Sequence, residues 1–204
     1  MSAAQTVPSL FDPLAPSGSA ALLTDHYELT MVQAALADGT AQRRCVFEVF
    51  ARSLPPGRRY GVVAGTGRVL DALEAFRFTS PQLDWLADAH VVDDTTLAYL
   101  ADYRFTGTVH GYGEGECYFP GSPVLTVEAP FSQAVLLETV VLSVLNHDSA
   151  VASAASRMTL AAGGRSCIEM GSRRTHEAAA VAAARAAFVA GFASTSNLEA
   201  GHRY

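Results

Sequence analysis

The stretch that most limits the possible folds follows Pro130. From Phe131 to about Ala162 no Gly or Pro interrupts the chain, and Gly163-Gly164 ends the run. Leu137, Val141, Val144, Asp148, Val151, Ala155 and Met158 step by four and three alternately, which places them on one helical face with Asp148 as its only polar member. This predicts one long helix or two kinked ones. Its second half is nearly all Ala and Ser, so another backbone can approach closely. Any fold for this chain has to be built around that spine.

Shorter elements lie on either side. Asp25 and Glu28 form a D-x-x-E start signal for a helix that stops at Asp38-Gly39, and Arg44–Arg52 reads as a strand before Pro55-Pro56-Gly57. Helices are expected over 62–76, with Val69, Leu70, Leu73 and Phe76 on one face, over 81–89 and over 93–102. Short Gly-punctuated strands are expected over 105–127. After the spine come an apolar strand at Cys167–Met170, a Gly-Ser-Arg-Arg turn, an Ala-rich helix from Glu177 to Ala190, and a strand near Phe192. That β, turn, α, β, turn order is βαβ grammar. It places Ser172–Thr175 and Ser194–Asn197 just past the carboxyl ends of two parallel strands, where α/β folds bind ligands. The expected organisation is a loose tail over 1–19, an α+β domain over 20–130, a connecting helix over 131–162, and the first strands and helices of an α/β barrel over 163–204. One βαβ unit cannot close a barrel, so a fragment of a longer protein is expected.

Composition narrows the chemistry. All 14 basic residues among the 204 are Arg, against 20 acids, for a net charge of −6. Schiff-base and Walker-type lysine chemistry is therefore outside this chain's reach. Residues 1–150 hold 17 acids and 8 Arg, while residues 151–204 hold 3 acids and 6 Arg. An anion would prefer the second segment, and a small phosphorylated ligand held by forked Arg hydrogen bonds suits it better than an extended nucleic acid. Cys45, Cys117 and Cys167 stand at spacings that suggest neither a zinc site nor a disulfide framework, and a reducing cytoplasm is the simplest setting. Glu138 breaks the most apolar run, Ala134–Leu145, so no membrane span is expected.

Several residues could carry chemistry. Arg173-Arg174 could bind a phosphate beside the backbone N–H groups of the helix that starts near Glu177, or be a solvated loop pair. Thr195-Ser196-Asn197 could receive a carboxylate, amide or phosphate, or simply make a turn. His176 could be an acid or base, or cap the next helix. Glu114 and Glu116 could hold Mg2+, although an exposed acidic strand edge is the favoured reading. Neighbouring His147 and Asp148 are expected to splay by about 100° on a helix and so not to share a metal. The G-T-G-R-V-L at 65–70 lacks the third Gly and the preceding strand of a dinucleotide fingerprint.

Four motifs in register, L-L-T-D-H-Y-E-L-T-M (22–31), F-E-V-F-A-R-S-L-P (47–55), E-M-G-S-R-R-T-H (169–176) and G-F-A-S-T-S-N-L-E-A (191–200), resemble nicotinate phosphoribosyltransferase. The N-H-D-S-A-V-A-S-A-A-S-R-M stretch (146–158) looks like the actinobacterial branch. The resemblance implies a type II phosphoribosyltransferase architecture, an α+β domain followed by an irregular α/β barrel, assembled as a homodimer with shared sites. It implies nicotinate and phosphoribosyl pyrophosphate as substrates, and ATP and Mg2+ as further participants. By motif match, Tyr27 would stack on the pyridine ring from across the dimer, Met170 would cover its other face, and Thr195 and Ser196 would receive nicotinate. Arg173 would hold the ribose 5′-phosphate with Arg174 nearby. Ser196 stands where nicotinamide-using relatives carry Asp, so the acid is the expected substrate. The family's phosphohistidine motif is not among these residues, and no histidine here is assigned that role. Other readings are a non-catalytic truncated subunit and a quinolinate phosphoribosyltransferase, for which the missing Lys is unfavourable.

Overall fold

The computed structural model describes residues 19–204, so all but Ser19 of the expected tail lies outside the described residues. Ser19 itself is tied to Arg77: it accepts from the Arg77 N–H at 3.3 Å and donates to that residue's carbonyl.

The first part of the chain is α+β. Helix α1 (His26–Ala37) leads to strand β1 (Arg44–Phe50), and three short helices, α2 (Thr66–Ala75), α3 (Ser80–Asp88) and α4 (Asp94–Ala101), follow the two-residue strand β2 (Gly61–Val62). Strands β3 (Thr108–Gly111), β4 (Cys117–Tyr118) and β5 (Pro123–Pro130) come next. β5 is the centre of a three-stranded antiparallel sheet in the order β1-β5-β3, and β2 pairs with β4 separately. β5 alternates inward Leu125, Val127 and Ala129 with outward positions, the period-two pattern of a sheet with one covered face. Over that face pack Leu29 and Val32 of α1, Val69 and Leu73 of α2, and Leu136, Leu137, Val140 and Val141. Phe76, Phe78 and Tyr103 form an edge-on and tilted aromatic cluster at one end of this core.

The spine is kinked. A short helix α5 (Phe131–Ala134) gives way to a 3-10 turn at Val135–Leu137 and then to the 25-residue helix α6 (Glu138–Ala162). By length and composition Phe131–Ala162 is apolar enough to cross a membrane, but in this fold more than half of its most apolar window is buried. The Ala/Ser half does admit backbone. Ser153 Oγ accepts the Val62 N–H at 2.8 Å, and Ser149 Oγ exchanges hydrogen bonds with the N–H and C=O of Ala64 at 3.2 Å each. Met158, placed on the apolar face by the stepping, is exposed instead.

Two further expectations are corrected here. The helix foreseen over 62–76 begins only at Thr66: Val62 pairs in β2, and Gly65, at φ +96°, turns the chain into the helix. Gly65 is also sterically confined, since a Cβ there would lie 3.0–3.1 Å from Asp148 and Val144. Leu70 is 48% exposed, one residue off the buried stripe of Val69, Ala72 and Leu73. Helix α1 starts after Asp25 as expected, but without the D-x-x-E cap: the Asp25 side chain makes no capping hydrogen bond, and Glu28 does not cap its own helix. It is fully buried and accepts from the N–H (3.0 Å) and hydroxyl (2.5 Å) of Thr139, so α1 caps the start of α6.

Past Gly163, strand β6 (Ile168–Glu169), a 3-10 turn at Ser172–Arg174, helix α7 (Glu177–Val189) and strand β7 (Ser194–Thr195) make a parallel β-α-β unit, followed by helix α8 (Leu198–Arg203). β7 thus lies two residues beyond Phe192. The Asn197 side chain accepts the Ala200 N–H and starts α8, a helix the sequence reading had passed over. α7 lays Ala180, Ala184 and Ala187 into the interior and packs along α6.

Candidate active site

The site is built on the paired ends of β6 and β7. Their register sets Ile168 opposite Ser194 and Glu169 opposite Thr195, and the Ser196 N–H donates to the Glu169 carbonyl at 2.9 Å. Met170 and Ser196 therefore leave adjacent parallel strands side by side. The two turns beyond them are joined: Asn197 Nδ2 donates to Ser172 Oγ at 3.1 Å, one residue before Arg173. Met170, Arg173, Arg174 and Ser196 are all exposed. Thr195 is half-buried, and its hydroxyl donates to Glu169 Oε2 at 2.7 Å while accepting the Asn197 N–H at 3.0 Å. His176 caps α7, accepting the Ala178 N–H on Nδ1 at 3.3 Å, the structural of its two readings.

Five of the six nominated residues thus share one loop cluster. Tyr27 does not. It sits on α1, 45% exposed, with the Glu138 carboxylate at the start of α6 near its phenol. Partial desolvation and, secondarily, the Glu138 carboxylate push the phenol up to about 12. The sign follows: the neutral phenol is favoured in the folded chain, so this contribution to stability is complete below about pH 10 and lost as pH rises through about 12. Glu138→Gln is expected to move the Tyr27 transition towards the ordinary tyrosine range. An absorbance titration against Tyr27→Phe reads it, and an unmoved transition would assign the whole shift to desolvation.

Glu138 also lines a cleft of about 620 Å3 between β1, the loop at Ser53–Arg58 and α6, where Arg52, Arg58 and Glu48 meet Asn146 and Ser149.

Two polar clusters elsewhere correct or extend the sequence reading. Glu114 does not stand on an acidic strand edge; it lies in the turn before β4 and is partly buried. It takes a two-pronged hydrogen bond from Arg185 of α7 at 2.7 and 2.8 Å and accepts the Gly65 N–H at 2.6 Å. Burial works against its charge, but the Arg185 hydrogen bonds and those from the Gly65 and Gly67 N–H groups hold its carboxyl below the usual range. This pair ties the β-α-β unit to the α+β part. The His147 and Asp148 side chains meet rather than splay, with His147 Nδ1 3.0 Å from Asp148 Oδ1. Asp148, fully buried, also takes Arg68 Nη1 at 2.8 and 2.9 Å. Glu169 opens the E-M-G-S-R-R-T-H motif, but the sequence analysis gives its side chain no role. Among the described residues, no three His, Cys, Asp or Glu converge as a metal site.

Comparison with known proteins bears on this arrangement. The model of the nicotinate phosphoribosyltransferase (NAPRTase) N-terminal domain matches residues 22–146. The nicotinate phosphoribosyltransferase pncB1 of Mycobacterium tuberculosis is 64% identical over 185 residues, 91% of this chain and 41% of that protein. The Bacillus subtilis enzyme of the same name is 37% identical over 187 residues, 91% of this chain and 38% of its own. The crystal structure of human nicotinic acid phosphoribosyltransferase superposes with a TM-score of 0.80 at 32% identity, covering 88% of this chain and 37% of that one. A nicotinate-nucleotide pyrophosphorylase from Pyrococcus furiosus shares the fold, with a TM-score of 0.71 at 24% identity over 98% of this chain and 42% of its own. The chain spans about two fifths of the length of these relatives. With its α+β half matched across residues 22–146, the chain belongs to the nicotinate phosphoribosyltransferase family.

Proposed function

We propose that this chain carries the nicotinate-receiving and phosphate-receiving turns of a nicotinate phosphoribosyltransferase. That enzyme joins nicotinate to phosphoribosyl pyrophosphate to give nicotinate mononucleotide and pyrophosphate, with ATP hydrolysis coupled to the reaction. The observation that carries the reading is the juxtaposition of the Arg173 turn and Ser196 at the carboxyl ends of two parallel strands, where α/β folds receive ligands. In this reading residues 20–130 are the α+β domain, 131–162 the connecting helix and 163–204 the opening of an α/β barrel.

The chemistry asks little covalent work of the protein. Departure of pyrophosphate leaves positive charge on the ribosyl carbon, and the pyridine nitrogen is already nucleophilic, so positioning and electrostatics dominate. Arg173 holds the 5′-phosphate through a forked guanidinium, with Arg174 adding positive potential. Met170 lays its thioether against one face of the ring. Ser196, small and uncharged, admits the nicotinate carboxylate, and Thr195 backs it. Tyr27 reaches the other face of the ring from the second subunit of a homodimer, consistent with its exposed position on α1 away from the Arg173 turn. Mg2+, when bound, would supply charge neutralisation for the departing pyrophosphate.

Ser196→Asp tests the substrate assignment. A fixed anion at that position should raise the KM for nicotinate about tenfold or more while leaving that for phosphoribosyl pyrophosphate within a factor of about three. Unchanged nicotinate kinetics would remove Ser196 from the ring site.

A further inference from the structure

The Glu169 carboxylate sits directly beneath the two turns that bear the nominated ligand groups, and both of its oxygens are engaged. Oε1 accepts the Gly171 N–H, and Oε2 accepts the Thr195 hydroxyl at 2.7 Å. The same residue's carbonyl takes the Ser196 N–H at 2.9 Å. From Thr195 the bonds continue to the Asn197 N–H at 3.0 Å, and from Asn197 Nδ2 to Ser172 Oγ at 3.1 Å, which returns to the residue after Gly171. The result is a closed circuit, Glu169–Thr195–Asn197–Ser172–Gly171–Glu169, with Arg173 next in sequence to Ser172 and Ser196 between Thr195 and Asn197. Gly171 is part of the device. Its φ of −87° makes no demand for glycine, but a Cβ there would lie 2.8 Å from Glu169 Oε1, so any side chain would make the carboxylate shift from this position.

A carboxylate below an anion-receiving pocket needs a reason, because its charge opposes ligand binding. Short hydrogen bonds to a charged acceptor are stronger and more directional than those to a neutral one, and their dipoles offset part of the negative potential. We propose that Glu169 is a positioning residue whose carboxylate brackets the Arg173 turn and the Thr195–Asn197 turn, and so sets the spacing at which the phosphate and the nicotinate carboxylate are received. The inference rests on the function proposed above and deepens it. Glu169 touches neither reactant; it acts through Gly171 and Thr195.

The test uses the protein as produced from its gene, with Glu169→Ala, Glu169→Gln, Thr195→Val and the Glu169→Ala/Thr195→Val double variant. Each single loss variant removes two hydrogen bonds of the circuit and should raise the KM for both substrates about tenfold, with kcat within about threefold. Glu169→Gln keeps one acceptor and the side-chain volume, and should hold KM within about threefold of the unaltered protein. Because the bonds form one circuit, the double variant should be no worse than the poorer single by more than about twofold. A wild-type KM in Glu169→Ala, a double variant whose losses multiply, or kcat and thermal midpoint falling together while KM stays put would each overturn the proposal. Inorganic phosphate binding, measured by calorimetry, separates this inference from the reaction on which it rests. If the unaltered protein does not turn nicotinate over, the function reading fails alone, and about tenfold weaker phosphate binding in Glu169→Ala still supports the bracket. Equal phosphate affinity in the two proteins, or no binding to either, overturns it.

Discussion

Arg173→Ala is expected to raise the KM for phosphoribosyl pyrophosphate about 100-fold, equivalent to about 2.7 kcal/mol, with a much smaller change for nicotinate. In the proposed reading the magnitude follows from removing a guanidinium that would meet a dianionic phosphate through two parallel N–H donors, in the quarter of the chain where Arg outnumbers acid. Arg173→Lys should recover only part of this, because an ammonium restores the charge but not the fork. Arg174→Ala should cost less than Arg173→Ala, since successive residues of a 3-10 turn point about 120° apart and only one can face a given ligand. Steady-state kinetics with each substrate varied in turn is the measurement. A KM within about threefold of the unaltered protein for Arg173→Ala would return the pair to the status of a solvated loop.

Arg68→Met is expected to cost about 3 kcal/mol of folding stability, read as a shifted urea midpoint with an unchanged slope. Asp148 is fully buried in the interior of α6, and Arg68 Nη1 is its cationic partner at 2.8 Å. Removing that partner strands a carboxylate that cannot reach water. His147 Nδ1, 3.0 Å away, offsets part of the loss, which sets the expectation at the lower end of the range for broken buried pairs. Arg68→Met/Asp148→Asn should recover at least half of the lost stability, because the stranded group is then neutral. A loss below about 1 kcal/mol in the single variant would mean that His147 alone satisfies the carboxylate.

This ion pair also shows why part of the molecule was illegible in the sequence. Asp148 was visible as the one polar member of an apolar stripe, but nothing in the order of residues indicated that Arg68, eighty positions earlier, would meet it. Glu114 was misread for the same reason: its partner Arg185 lies seventy-one positions away, so an acidic pair next to a glycine turn looked like an exposed edge. Glu28 carried a proper helix-start signal and was read as a local cap, yet it serves Thr139 in another helix. Local patterns fared better. The four-three stepping after Pro130 became α5, a 3-10 turn and α6, and the Ala/Ser half of α6 received backbone from Val62 and Ala64. The β, turn, α, β order became a parallel strand pair with its turns at one end.

The residue order by itself determined the periodic elements, the parallel strand pair, the charge asymmetry and the family, because these depend on spacing along the chain, which hydrophobic burial and backbone geometry translate directly into helices and strands. Only the tertiary structure decided which charges pair, that Tyr27 stands on α1 beside Glu138, and that Glu169 bonds to both turns that follow β6 and β7. Those outcomes turn on distances between groups far apart in sequence, and a carboxylate finds its donor only after the elements have packed.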